Sequence, residues 1–375
     1  MPNKKNNKSK EIFIINQFTN TPDLPGHTRQ YEIAQYLVKK NLKVNIYASD
    51  FNLSLRQYTK LEYLRRVKKE IIDGITLNWL WTSPYKKNNW LRKLNMLIFC
   101  FNLFYQLFID CFKRIFSDKQ LIIIASSPQL PAAFIAFLIS KIFRKKLIFE
   151  VRDLWPQVLI DQGGLSEKNW QVMIFRLMEK FLYTYSYKIV VLSKGAIKYV
   201  KKRGAKSVEF IPNGPDTKIF NIKNLNSNKR YKKSNKNFTI LYAGAHGEAN
   251  DLENILEAAK YLNNERILFI FLGDGTCKKD LIEKANGMSN IIFEEPIPKK
   301  EMPDKISSCD ALIISLKDIP LYRYGVSPNK LYDAYALGKP VISTIEGDVN
   351  DEINHYNLGV TAKPGDPLLL SKQIK

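Results

Sequence analysis

A chain of 375 residues that is 45% hydrophobic and 12% aromatic can fill packed cores, which excludes wholesale disorder, and it is too long for one ordinary core. The 58 Lys and Arg against 36 Asp and Glu leave a net charge of +22, which favours anionic partners (nucleic acid, anionic lipid, phosphorylated substrates) unless it only follows the abundance of Lys, Asn and Ile. Cys100, Cys111, Cys277 and Cys309 show no Cys-x-x-Cys pair and no matching histidine spacing, so neither a disulfide framework nor a zinc site is expected, and a reducing cytosol fits.

The basic start "MPNKKNNKSK" runs straight into the strand-like "EIFIIN" without a secretory apolar core, so no signal peptide is expected. Strand patterns follow at 12–16, 43–49, 75–81, 121–126, 146–151 and 187–193, with helical patterns notably at 28–40, 131–143 and 167–184. Residues 221–237 are polar, basic and aperiodic, which reads as a linker or loop. Alternation then resumes. Strands are expected at 238–244, 267–273, 291–295, 311–316 and 340–344, and helices near 250–262, 277–286 and 328–337. Apolar strands alternating with helices predict an α/β chain of two Rossmann-like domains with parallel sheets facing a cleft. Their bounds are expected at 1–215 and 238–375, joined through 216–237. Ligands should gather at the carboxyl ends of the strands.

Residues 90–116 depart from this rhythm. Their apolar run "MLIFCFNLFYQLFI" would span roughly 21 Å as a helix, short of the ~30 Å of a bilayer core. Asn95, Asn102, Gln106, Asp110 and Lys113 share one narrow face, and Lys86, Lys87, Arg92, Lys93, Lys113 and Arg114 flank the run. The pattern suits a helix lying in a membrane interface, with a core helix as the alternative.

Four stretches carry chemistry. "NQFTNTPDLPGHTRQYE" puts a Pro/Gly turn with Gly26 between a strand and a helix; it is either an ordinary turn or one that aims free amides at a ligand. "FEVRDLWPQ" ends a buried strand in Arg152-Asp153: either a cation for a phosphate with an acid for a hydroxyl, or a structural ion pair. "YAGAHGEAND" places Gly244 and Gly247 in a tight loop and His246 at a strand's carboxyl end, where a solvated histidine is the plainer reading. In "GVSPNKLYDAYALGKPV" (325–341), Ser327 is expected as an N-cap and Pro328 at the first helical position. Lys330 in the first turn opposes the helix dipole, a local penalty that makes sense if a diphosphate sits there, with Asp333 placed for ribose hydroxyls.

"GVSPNKLYDAYALGKPV", "VRDLWPQ", "YAGAHG" and "GHTRQYEIAQYLVKK", in this order, resemble the retaining GT-B glycosyltransferases of family 4 over nearly the whole chain. The likeness is to the branch that builds colanic acid, capsule and O-antigen, close to the fucosaminyl- and N-acetylglucosaminyl-transferase types. The resemblance implies a nucleotide-sugar donor, of UDP type, on the C-terminal domain and a lipid-linked or glycan acceptor on the N-terminal one. It also implies no metal and no other cofactor, and a cytoplasmic enzyme on the inner leaflet of the membrane, with no nucleic acid as partner. It sets Gly26 against the donor, Arg29 at the following helix start, and Gly244, His246 and Gly247 at the diphosphate. Pro296 and Ile297 fall at the base, Ser327, Asn329 and Lys330 at the phosphates, and Asp333 at the ribose. Arg152 and Asp153 are the catalytic candidates, and Arg152 stands where a histidine is common. Gly325 stands where relatives place a glutamate, and the usual Arg and Lys of the second-domain glycine loop are missing, which throws diphosphate neutralisation on Lys330 and Arg323. The family's usual final helix is not expected in this chain. A GT-B UDP-sugar epimerase would share the architecture, and a basic nucleic-acid-binding protein would account for the charge but not for the Lys330 helix.

Overall fold

The computed structural model describes residues 10–24, 26–60, 65–86, 90–117, 120–225 and 237–375. It divides into two units: residues up to Val191 together with Ile197–Phe210, and Leu192–Ala196 together with Ile211–Lys375. Lys87 and half of the expected 216–237 linker, residues 226–236, lie outside the described residues.

The first unit carries β1 (Lys10–Ile15), α1 (Arg29–Lys39), β2 (Lys43–Ser49), β3 (Phe51–Asn52), β4 (Gln57–Tyr58), β5 (Val67–Ile72) and β6 (Ile75–Leu80). There follow α2 (Trp90–Phe112), β7 (Gln120–Ser126), α3 (Leu130–Ile142), β8 (Lys146–Val151), α4 (Gln157–Asp161), α5 (Trp170–Tyr185), β9 (Lys188–Val191), α6 (Lys194–Lys202), whose first three residues fall in the second unit, and β10 (Val208–Phe210). One sheet in the order β10-β9-β8-β7-β1-β2-β6-β5 holds them together, parallel except for β5. The chain moves from β1 toward β2 on one side and from β7 toward β10 on the other, so β1 and β7 flank a topological switch point. The edge strand β5 departs from the expected all-parallel sheet: Asp73-Gly74, at φ 51 and 76, closes a tight hairpin onto β6.

The second unit carries β11 (Phe238–Ala243), α7 (Leu252–Tyr261), β12 (Ile267–Leu272), α8 (Lys278–Lys284), β13 (Ile291–Glu294), α9 (Met302–Ser307) and β14 (Ala311–Ser315). It continues through α10 (Pro320–Arg323), α11 (Asn329–Ala336), β15 (Val341–Thr344), α12 (Asp348–His355), β16 (Gly359–Thr361) and α13 (Pro367–Ile374). Its sheet is wholly parallel in the order β13-β12-β11-β14-β15-β16, with the switch point between β11 and β14. Apolar side chains of both sheet faces are covered, one by the set around Ile255 and Phe269, the other by the set around Leu331 and Ile353. All four cysteines are unbridged.

The α2 helix extends well beyond its apolar run. It has 23 residues, about 34 Å, and is long and apolar enough to cross a membrane by length and composition, although half of its most apolar window is buried. Its polar side chains also point inward. Asn95 accepts from Gln17 and donates to Thr82; Asn102 donates to the Trp81 carbonyl; Gln106 and Tyr47 both donate to Asp110. The narrow polar stripe is therefore the face packed on the unit, satisfied by strand-end partners, and the apolar side chains are the ones left outside.

Candidate functional site

In the second unit the carboxyl ends of β11, β12, β13 and β14 share one edge, and the loops leaving them are tied together. The Gly244 amide donates to Leu272 O (2.9 Å), His246 N to Asp274 O (2.9 Å), Cys277 N to His246 O (2.9 Å) and Gly273 N to Glu294 O (3.1 Å). Gly273 must be glycine, because a Cβ there would strike the Gly244 carbonyl oxygen. Gly244, at φ 149, has a backbone that other residues rarely adopt, and a Cβ there would lie 2.7 Å from Lys330 Nζ and displace it. Gly247 is extended, and a Cβ there would make only ordinary contact with Asn250, at 3.8 Å, so nothing steric demands glycine.

Lys330 reaches this loop from the second position of α11. Its ammonium lies 4.0 Å from the centroid of Tyr242, whose hydroxyl donates to Ala245 O at 2.8 Å. Among the described residues no carboxylate pairs with Lys330, and burial pushes its pKa down to about 8. A cation that is desolvated, perched on an aromatic face and without a counter-ion is poised for an anion.

The start of α11 differs from expectation. Its N-cap is Pro328, in extended backbone, and no side chain caps the helix. Ser327 Oγ instead accepts from the Asn213 amide (3.0 Å) and shares a hydrogen bond with the Tyr332 hydroxyl (3.0 Å). The amides of Asn329 and Lys330 are thus not spent on a Ser327 cap, which suits anion binding at this terminus. Asn329 is exposed and Asp333 half-buried one turn further along.

Arg323 is shared by Asp318 (2.9 Å) and Glu346 (3.4 Å). Pro296 is exposed, whereas Ile297 packs partly against the core beside Leu331. His246 is fully buried rather than solvated: its ring packs against Tyr242, Phe271 and Phe293 at 5.9–6.4 Å, with neither ring nitrogen hydrogen-bonded. Burial, then the charge of Lys278, lowers its pKa, so the ring is neutral. Gly325, at φ 88, has its side-chain space taken by Asp348 Oδ2 and Ser193 Cβ, each 2.8 Å from an ideal Cβ. Asp348 is held there by the Gly195 amide at 2.6 Å.

In the first unit Arg152 and Asp153 leave the carboxyl end of β8. Both backbone amides donate to Ser127 Oγ, at 2.8 and 3.0 Å, and among the described residues no ion pair joins their side chains. The ion-pair alternative is therefore not what the fold contains. Arg152 Nη1 reaches Gln30 Oε1 at 3.5 Å, and desolvation raises the Asp153 pKa against the lowering influence of Arg152. Arg29 at the start of α1 is bound to the buried Glu150 (3.0 Å), which also accepts from Gln30 and Ser126. Gly26, at φ 135, is exposed, and a side chain there would collide with Asn20. Glu150, Ser127, Tyr242, Asn213 and the buried Lys278 were not singled out by sequence. A carboxylate inside the apolar strand "KLIFEV" was the one legible signal among them.

Residues 237–375 match the family model described as Glycosyl transferases group 1. The chain is 25% identical over 241 residues to the probable glycosyltransferase WbjE of Pseudomonas aeruginosa, covering 61% of this chain and 59% of that protein, so it spans about three fifths of that relative's length. Among solved structures it is similar to the sucrose-phosphate synthase of Thermosynechococcus elongatus (TM-score 0.72, 14% identity, 97% of this chain and 88% of the other). It is likewise similar to Alr3699/HepE of Anabaena in complex with UDP (TM-score 0.64, 15% identity, 97% and 88%). These likenesses give the chain the GT-B fold, with residues 237–375 similar to the glycosyl transferases of group 1.

Proposed function

We propose that the protein is a retaining glycosyltransferase that moves a sugar from a nucleotide-sugar donor, of the UDP-HexNAc type, to a lipid-linked or glycan acceptor in cell-surface polysaccharide synthesis at the cytoplasmic face of a membrane. The observation that carries the reading is Lys330: an unpaired, desolvated ammonium at an uncapped helix start, in contact range of the Gly244 loop at the switch point of the second sheet. A diphosphate there would meet the Lys330 charge and the free amides of α11, which would stabilise the departing UDP in place of a metal ion. Binding of UDP to a structural neighbour of the same fold supports this choice of base.

In the proposed reaction the bond between the anomeric carbon and the diphosphate oxygen breaks as the acceptor oxygen forms its bond on the same face. The acceptor proton passes to the departing phosphate oxygen. Asp333 serves the ribose, Asp153 orients the acceptor hydroxyl, and Arg152 attracts its anionic carrier. Neither an epimerase nor a nucleic-acid binder is favoured by any relative found.

A thermal-shift panel of UDP-, GDP- and dTDP-sugars tests the donor, because a ligand of the native state raises Tm by mass action. A rise with UDP-sugars that vanishes in Lys330→Ala is expected. No rise with any nucleotide-sugar would sink the reading, and sugar turnover without an acceptor, followed by NMR, would convert it to the epimerase.

A further inference from the structure

We propose that Lys278 is a positioning residue for the nucleotide base: its buried ammonium fixes the end of β13, and with it the segment 295–298 on which the base of the donor would rest. This role rests on the reading above and adds to it a residue that belongs neither to the Gly244 loop nor to the Lys330 helix. All the groups concerned lie in the second unit.

Lys278 is the first residue of α8, where a positive charge opposes the helix dipole, and it is only 8% exposed. A buried ammonium in that place is costly unless its donors are satisfied. Here Nζ donates to Glu295 Oε1 at 2.7 Å and to Gly273 O at 2.9 Å, and it reaches Glu294 O at 3.5 Å. One cation thereby joins the ends of β12 and β13. The loop after β11 hangs on the same helix start, because Cys277 N donates to His246 O at 2.9 Å. Lys305 of α9, also buried, holds the Glu294 side chain at 2.7 Å. Two lysines, from α8 and α9, thus hold Glu294 and Glu295. If covering the start of α8 were the only requirement, an apolar side chain would serve at lower cost.

The chain leaves β13 through Pro296-Ile297-Pro298. Proline has a fixed φ and no amide donor, so Ile297 carries the one N–H between Glu295 and Lys299, with carbonyl acceptors on either side. That N–H meets no acceptor among the described residues. A single donor beside acceptors complements the edge of uracil, which presents one N–H between two carbonyl oxygens. The Ile297 side chain packs against the apolar cluster that holds Leu331, the neighbour of Lys330, so the segment is tied to the helix that carries the proposed diphosphate site. Hydrogen bonds weaken steeply with angle, and a shift of Glu295 would turn the Ile297 amide away from a base. Lys278 therefore acts through the segment it holds and touches no ligand itself.

The test is calorimetric titration of the full chain and of Lys278→Met with UDP and with inorganic pyrophosphate. UDP affinity is expected to fall about tenfold in the variant. Pyrophosphate affinity should stay within about twofold of the parent, since Lys330, Tyr242 and the start of α11 are untouched. A lysine with a merely structural role would weaken both ligands together or neither, and either pattern overturns the proposal. Hydrogen exchange on the parent protein decides the matter should the variant not fold. UDP, and not pyrophosphate, should slow exchange at the Glu295 and Ile297 amides, and unchanged exchange there overturns the proposal. Tight UDP binding that Lys278→Met leaves intact removes this role alone; a parent that binds pyrophosphate but no nucleotide removes the nucleotide-sugar reading with it.

Discussion

The ammonium of Lys330 rests on the ring of Tyr242, 4.0 Å from its centroid, while the Tyr242 hydroxyl holds the loop that carries Gly244 through Ala245 O. Cation, ring and glycine loop thus form one unit, and the charge has no carboxylate to neutralise it among the described residues.

Replacing Lys330 with Met should therefore separate binding from stability. Removing a desolvated, unpaired charge leaves the free protein at least as stable as the parent, whereas UDP affinity falls about thirtyfold, roughly 2 kcal/mol by affinity arithmetic. Calorimetric titration with UDP alongside thermal melting checks both, and unchanged UDP affinity would detach Lys330 from the donor.

The pH dependence follows from the same burial. The Lys330 pKa in the free protein is pushed down to about 8, and an anion prefers the protonated form. Nucleotide affinity is full below that value and declines as pH rises through it, with proton uptake on binding until the higher pKa of the bound state is passed. In the absence of ligand the sign is opposite: between about 8 and the unfolded value the unfolded state binds more protons, so this residue makes stability rise with pH. Titrations in buffers of different ionisation enthalpy should reveal the proton uptake and lose it in Lys330→Met.

Gly325→Glu, which restores the glutamate expected from the resemblance, should cost stability instead of repairing the site. The new side chain would meet Asp348 and Ser193 at 2.8 Å on a backbone at φ 88, and we expect a loss of about 2 kcal/mol. Denaturant melting measures it. A variant as stable as the parent would mean that Asp348 yields easily.

His246→Phe tests the aromatic box. The folded histidine has a lowered pKa, so below the ordinary value near 6.5 the unfolded chain takes a proton that the folded one refuses. Its contribution to stability is complete above that value and is lost as pH falls. Phe at this position should be within about 1 kcal/mol of the parent at pH 8 and relatively more stable at pH 5; equal pH slopes for the two proteins would contradict the neutral buried ring.

Glu150→Gln removes the buried charge that Arg29, Gln30 and Ser126 all meet, and a loss of about 3 kcal/mol is expected from breaking that buried pair. Hydrogen exchange should locate the loosening at α1 and β8. Protection confined to its parental pattern would show that Gln30 and Ser126 suffice.

Fully buried parallel strands read as short apolar runs, which is why β2 and β8 lie at 43–49 and 146–151, as expected from pattern alone. The edge strand β5, "VKKEII", has no such run, and its Asp-Gly turn was the overlooked signal. For α2 the spacing of Asn95, Asn102 and Gln106 located a polar stripe but not its direction, because side-chain periodicity does not say whether remote strand ends will offer hydrogen-bond partners. The SPNK motif and the empty glutamate position are likewise local facts of the sequence. That Lys330 has a ring beneath it and no carboxylate beside it, that Ser327 serves Asn213 and not the helix, and that Asp348 fills the space at Gly325 were decided by tertiary structure, since each contact joins groups that only the order of strands in the sheet brings together.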